Sequence, residues 1–122
     1  MAETPRVAAP LQHGKMVALT GATDSLGVLI TPTSTAGETI HKNTSGSTQL
    51  VYLFAYNSHT GNNALSLEWG GTGDANTTVH TLATLIHSEV VSGMPLAPGK
   101  TLAGFAGTTD KMTVWGYAVT IG

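Results

Sequence analysis

Five histidines, His13, His41, His59, His80 and His87, are the first candidates for chemistry. Imidazole is the commonest metal ligand and the usual general base near neutral pH. No His-x-His or His-Glu-x-x-His spacing occurs, so no pair is set on one metal by local structure. The best pair is His87 with Glu89, which alternate onto the same face of a strand. A third ligand would have to come across a sheet from His41 or His80. On an oligomer axis one histidine would be enough, because symmetry multiplies it. Ordinary polar or interface histidines are the simpler reading, and near pH 6 they would make assembly sensitive to acid.

A nucleophilic site needs a nucleophile, an activating base and a group that orients the base. Ser and Thr are so common here that one lying near a histidine carries little weight. Asp24, Asp74 and Asp110 fall in turn-like segments, where carboxylates bond to nearby backbone. Glu68 and Glu89 would form a glycosidase pair only if folding set them at the separation that chemistry requires. Gly99-Lys100-Thr101 resembles the end of a phosphate-binding loop, but Met94 stands where the first glycine belongs and Pro98 interrupts the segment. The expectation is a protein with no catalytic residues, no cofactor and no metal.

Composition points the same way. Only 10% of the 122 residues are charged, with a formal net charge of -2. Arg6, Lys15, Lys42, Lys100 and Lys111 are scattered, which disfavours a nucleic-acid stripe. A surface of Thr, Ser, Asn, Gly and Ala suits a chain largely covered by neighbours, since a lone monomer gains solubility from charge. No cysteine is present, so packing and partner subunits must supply stability. No apolar stretch reaches membrane-spanning length, and residues 1–15 do not read as a secretory signal. The sequons at Asn43 and Asn76 then read as chance matches.

The elements that would position these residues are short apolar runs separated by turns. Residues 1–15 read as an extended arm and 16–122 as one β domain. Strands are expected over Met16–Thr20, Leu26–Thr31, Thr39–Lys42, Gln49–Ser58, Ala64–Trp69, Thr77–Leu82, Leu85–Val91, Thr101–Ala106 and Met112–Ile121. Gly21–Asp24 and His59–Asn62 read as turns, the second of hairpin type. Gln49–Ser58 is apolar on both faces, so it should be central or covered on both sides. Ala64–Trp69 alternates and should bury one face, that of Leu65, Leu67 and Trp69. Such spacing predicts an antiparallel β-sandwich; jelly-roll-like topology leads and an immunoglobulin-like one stays open.

The expected core is Leu53, Phe54, Leu65, Leu67, Trp69, Phe105, Trp115 and Tyr117, with the two tryptophans as opposing plugs. Exposed coplanar aromatics would instead make a carbohydrate-binding face, for which Tyr52, Tyr56 and Trp115 are the candidates.

Several stretches carry a resemblance. Val51-Tyr52-Leu53-Phe54-Ala55-Tyr56-Asn57 is followed by Ala64-Leu65-Ser66-Leu67-Glu68-Trp69-Gly70-Gly71-Thr72, then by Pro95-Leu96-Ala97-Pro98-Gly99, Leu102-Ala103-Gly104-Phe105-Ala106 and Met112-Thr113-Val114-Trp115-Gly116-Tyr117-Ala118-Val119. This order of strand, "EWGG"-type end, proline turn and terminal "GY" strand resembles virion structural proteins of tailed bacteriophages over residues 26–121. It is most like capsid decoration, or cement, proteins. The resemblance implies a virion protein on the outer capsid surface that binds the major capsid protein, often as a homotrimer, and bridges capsomers without touching DNA or membrane. A tail component is the nearest rival; a carbohydrate-binding module is the rival of another class.

In such a role the arm residues Thr4, Pro5, Val7, Pro10 and Leu11 would lie along a neighbouring chain and order on contact, the alternative being a free tail. The loops Thr31–Gly37, Asn43–Thr48 and Gly70–Asn76 would gather at the sandwich ends as further contacts.

Overall fold

The computed structural model describes residues 14–22 and 27–121; the capsid-binding arm expected at Thr4–Leu11, and His13, lie outside them. Nine strands are present among the described residues: β1 (Lys15–Ala18), β2 (Val28–Ile30), β3 (Glu38–Lys42), β4 (Gln49–Asn57), β5 (Asn63–Trp69), β6 (Thr77–Leu82), β7 (His87–Leu96), β8 (Thr101–Ala106) and β9 (Met112–Thr120). One short 3-10 helix, Asp74–Asn76, interrupts them. Among the described residues no helix is long and apolar enough to cross a membrane.

The strands form two antiparallel sheets. Sheet A has the order β1-β9-β4-β7, with β2 also on β9, and sheet B has the order β3-β8-β5-β6. Four of the pairings are nested: β1 and β2 with β9, β3 with β8, β4 with β7, and β5 with β6. A single long hairpin whose bend lies between β5 and β6, rolled so that β4 meets β9 and β5 meets β8, gives this pattern. That is the jelly-roll arrangement of two four-stranded sheets, with its first strand broken into β1 and β2. The immunoglobulin-like alternative falls away, because its sheets divide the strands differently.

Two expected turns change meaning in this topology. Residues 58–62 do not close a hairpin: β4 and β5 belong to opposite sheets, and the segment crosses between them. Likewise β1 and β2 do not pair with each other but follow one another along β9. The last strand before the proline turn is longer than expected, running through Gly93 and Pro95 to Leu96. Pro95 is tolerated because β7 is a sheet edge. The ladder to β4 shifts register at two places, which suits an edge that must not pair with another chain.

The core lies between the sheets. From sheet A come Val28, Ile30, Val51, Leu53, Ala55, Val91, Met112, Val114 and Ala118; from sheet B come Ile40, Leu65, Leu67, Leu82, Leu102 and Ala106. Of the expected core, Leu53, Leu65 and Leu67 are completely buried. Trp69 is half-buried at the core margin, where its indole N–H donates to Thr78 Oγ1 at 3.0 Å. Phe54, Phe105 and Tyr117 are also only half-buried. Trp115 is a correction: it is 37% exposed and plugs no core. The inner face of β9 is that of Met112, Val114 and Ala118, so the aromatic face is left outside.

The β4–β9 ladder at the centre of sheet A depends on Gly116. Its φ is +152°, and a Cβ there would collide with the carbonyl oxygen of Tyr52. Without a Cβ, Gly116 lets the β4 backbone approach closely.

Polar groups buried at the sheet margins fasten the loops. Thr20 N–H donates to His41 Nδ1 at 3.2 Å, so Nε2 of the neutral ring carries the proton and donates to Gln49 Oε1 at 2.6 Å. Gln49 Nε2 then donates to Thr120 Oγ1 at 2.9 Å, completing a chain that ties β3 to β4 and β9 across the sandwich.

Candidate interaction surface

The register of sheet A determines which side chains share its outer face. Residues paired across strands lie on the same side of the pleat. Four rows result: Met16, Val119, Leu50 and Pro95; Ala18, Tyr117, Tyr52 and Ser92; Trp115, Phe54 and Glu89; and Leu29, Thr113, Tyr56 and His87. Across these rows the only charged side chain is Glu89, and the only imidazole is His87; both lie on the edge strand β7.

Much of this face is apolar and open. Met16 is 67% exposed, Leu29 46% and Trp115 37%. Gln49–Ser58 was expected to be central or doubly covered. It is central, but its outer residues Leu50, Tyr52, Phe54 and Tyr56 are only half-buried and have no second layer over them among the described residues.

The aromatic rings shelter one another instead. Tyr52 and Tyr117 lie with centroids 5.1 Å apart and planes 17° from parallel. Rings that close and that parallel cannot lie side by side in one plane, because their hydrogens would overlap. They stack along the inter-strand direction, whose spacing is about 4.8 Å. Their edges and hydroxyls therefore point outward and their facing surfaces are covered. Phe54 and His87 repeat the arrangement at 6.0 Å and 12°. His87 also meets Trp115 edge-on, at 6.0 Å and 67°. Each such pair contributes about 0.5–1.5 kcal/mol beyond its burial. Gly93, with φ +81°, sits against the Tyr52 ring end, where a Cβ would approach the hydroxyl oxygen to 3.3 Å.

The titratable residues raised by the sequence are not gathered. Glu68 and Glu89 belong to different sheets, so they do not form a pair across one cleft. Glu68 departs from expectation in another way. It lies on the outer face of sheet B yet is 2% exposed, because the Thr31–Gly37 loop packs over it. Its carboxylate accepts from Gly37 N–H at 2.8 Å and from the Thr35 hydroxyl. Alternation in β5 therefore buries both faces, Ser66 and Glu68 as well as Leu65 and Leu67. The loop that covers Glu68 was expected at a sandwich end.

Beside it opens a cleft of about 370 Å³, lined by Gly70–Thr72, Gly99–Thr101, Ala36, Ala103 and Glu68. Both Glu68 oxygens are occupied by the loop, and Lys100 is exposed with its stem along Gly70. Gly99-Lys100-Thr101 forms the turn into β8, with Gly99 at φ +78°.

The histidines are dispersed as well. His41 is buried with both ring nitrogens engaged, and His87 lies on the outer face of sheet A. His80 faces inward from β6, and its Nε2 is buried without a hydrogen-bond partner among the described residues. Desolvation lowers its pKa below the ordinary histidine value. Among the described residues no three His, Asp or Glu side chains converge as metal ligands. Asn43, the first residue of one sequon, is fully buried and hydrogen-bonded, whereas Asn76 of the other is exposed.

Sequence reasoning named Tyr52, Tyr56 and Trp115 as exposable aromatics. The fold adds Phe54, Tyr117, His87, Met16 and Leu29 to the same face. The usable signal was the alternation in Gln49–Asn57 and Met112–Thr120, which sets Tyr52, Phe54 and Tyr56, and Trp115 and Tyr117, on one side each. Compared with protein-family models, curated proteins and solved structures, the chain has no significant match.

Proposed function

We propose that this chain is a non-enzymatic capsid decoration protein of a tailed bacteriophage, which docks on neighbouring head subunits and bridges them. The reading rests on the outer face of sheet A. It is a wide surface of Trp, Tyr, Phe, Met and Leu with charge confined to its β7 edge, the composition typical of protein–protein contact centres. The jelly roll is a common scaffold of viral capsid proteins, although a fold alone assigns no function. The low overall charge of the chain fits a protein surrounded by neighbours.

In this reading each copy supplies a modest contact and the lattice multiplies it. Attachment at several points makes the coat hard to shed even when each contact is weak. Trimerisation, with the major capsid protein as partner, completes the proposal. Co-sedimentation with undecorated heads tests it. The native chain pellets with heads; Trp115→Ala, which removes an exposed ring from a non-core position, stays folded by circular dichroism and remains in the supernatant. Equal pelleting of the two would remove sheet A from the contact. Electron microscopy of the particle separates head from tail placement.

Carbohydrate binding is the second reading, favoured by the same aromatic face and by the use of jelly rolls in lectins. Sugar rings stack on open aromatic faces, whereas Tyr52 and Tyr117 turn theirs toward each other. The stacked geometry therefore favours the protein partner. Binding on a broad glycan array that is lost in Trp115→Ala would reverse that preference.

A further inference from the structure

The two sheets of a sandwich are joined by packing alone where their edge strands meet, and here those edges are β6 and β7. No ladder joins them. His80 stands in this seam. Its register partner is Leu65, whose side chain is completely buried, so the imidazole points toward the core side of β6. A cleft of about 220 Å³ opens on one side of the ring, lined by Trp69, Thr78, Val90, Ser92 and Met94 among others. A second cleft, lined by Ile86, Ser88, Glu89 and Val90, opens on the other. The seam is thus thinly packed around one imidazole.

Burial favours the neutral form of that imidazole. Its Nε2 is buried and has no hydrogen-bond partner among the described residues. A bare ring nitrogen is tolerable in an apolar setting, whereas a charged N–H without an acceptor is not. Glu89 is the titratable group that β7 brings to the second cleft, at the outer margin of sheet A; β5 offers only Leu65 and Trp69. A protonated ring would therefore be drawn out of the seam, toward water and the Glu89 carboxylate.

We propose that His80 makes the β6–β7 seam an acid-sensitive latch, closed while the ring is neutral and parted when the ring takes a proton. The lowered pKa is the same desolvation seen from the proton's side. Parting exposes the half-buried Trp69 and Val90 beside the already exposed Met94, so acid converts a closed sandwich side into an apolar surface. The latch is independent of what docks on sheet A.

Hydrogen–deuterium exchange of the intact protein, corrected for the intrinsic pH dependence of exchange, tests the latch. Between pH 7.5 and pH 5, residues 77–82 and 87–96 should lose protection several-fold, while residues 112–120 in the interior of sheet A keep theirs. His80→Gln, which cannot titrate, should abolish the difference. Equal protection at both pH values, or the same acid loss in His80→Gln, overturns the proposal. If that variant does not fold, ring resonances of native His80 and amide resonances of the seam decide by NMR. A shared titration midpoint supports the latch, and different midpoints refute it.

Discussion

Asn43 and Asn57, at opposite ends of the sandwich and both completely buried, make the same set of hydrogen bonds. Each accepts at Oδ1 from the backbone N–H two residues on, Ser45 at 3.0 Å and His59 at 2.9 Å. Each donates from Nδ2 to the carbonyl four residues on, Ser47 at 2.7 Å and Gly61 at 3.0 Å. Each then reaches a distant strand end, Leu96 from Asn43, and Leu82 and Ala83 from Asn57. The two asparagines thus pin the chain where it enters and leaves β4, the strand at the centre of sheet A.

Replacing Asn57 by Ala leaves carbonyls and an N–H buried without partners. The expected cost is about 1–3 kcal/mol for each group left unsatisfied. In urea unfolding the midpoint of Asn57→Ala should fall sharply with an unchanged slope. A midpoint equal to that of the native chain would mean that water replaces the side chain fully.

Glu68 is the corresponding anchor on sheet B. Glu68→Gln keeps one acceptor for Gly37 N–H, and its amide can donate to the Thr35 hydroxyl, so the loss should be small. Glu68→Ala removes both bonds and should destabilise the fold by roughly 2–4 kcal/mol. Faster hydrogen exchange at residues 35–37 in the alanine variant, with native-like rates in the glutamine variant, is the expected signature. Equal effects of the two would show that the negative charge, which glutamine also lacks, holds the loop rather than the two bonds.

Gly116 makes the severest prediction. Gly116→Ala combines an unfavourable φ with a collision against the Tyr52 carbonyl at the middle of the β4–β9 ladder. The expected loss is about 4 kcal/mol or more, enough to remove most of the stability of a domain this size. Thermal unfolding monitored by circular dichroism checks it. A transition within a few degrees of native would show that β9 can shift without penalty.

Stability should depend on pH through His80. The folded protein holds this imidazole below its ordinary value of 6.5, so the unfolded chain takes up its proton first as pH falls. Unfolding free energy should therefore decrease as pH drops through 6.5 and level off once the folded-state ring also titrates. The His80→Gln variant should show a flatter profile over the same range. A native profile with no slope below neutral pH would contradict the assignment.

The sequence made the sandwich legible because turn residues divide apolar runs of strand length, and the two apolar faces of β4 marked it as central or doubly covered, of which the first holds. It did not show which side of β9 faces inward. Met112, Val114 and Ala118 make an apolar side, and Trp115, Tyr117 and Val119 make a larger one. Volume alone favours burying the tryptophan. What reverses this is cross-strand pairing, because Tyr52 against Tyr117 and Phe54 against Trp115 shelter one another on the outside. Residues 58–62 misled for a related reason. A turn signal reports that the chain reverses, and only partner strands decide whether it reverses within a sheet or crosses to the other. Glu68 was read as outward because alternation cannot register a loop, 31–37, that returns from more than thirty residues earlier to cover it.

The most direct test of the account is oxidative footprinting of Trp115, Tyr117 and Met16, in free protein and in protein bound to phage heads. Sheet A docking predicts that all three are readily oxidised in the free chain and strongly protected on the particle, while exposed Val79 and Leu85, away from that face, are modified equally in both. Equal oxidation of Trp115 and Met16 in the two states, with the protein demonstrably bound, would contradict the claim that this aromatic face makes the contact.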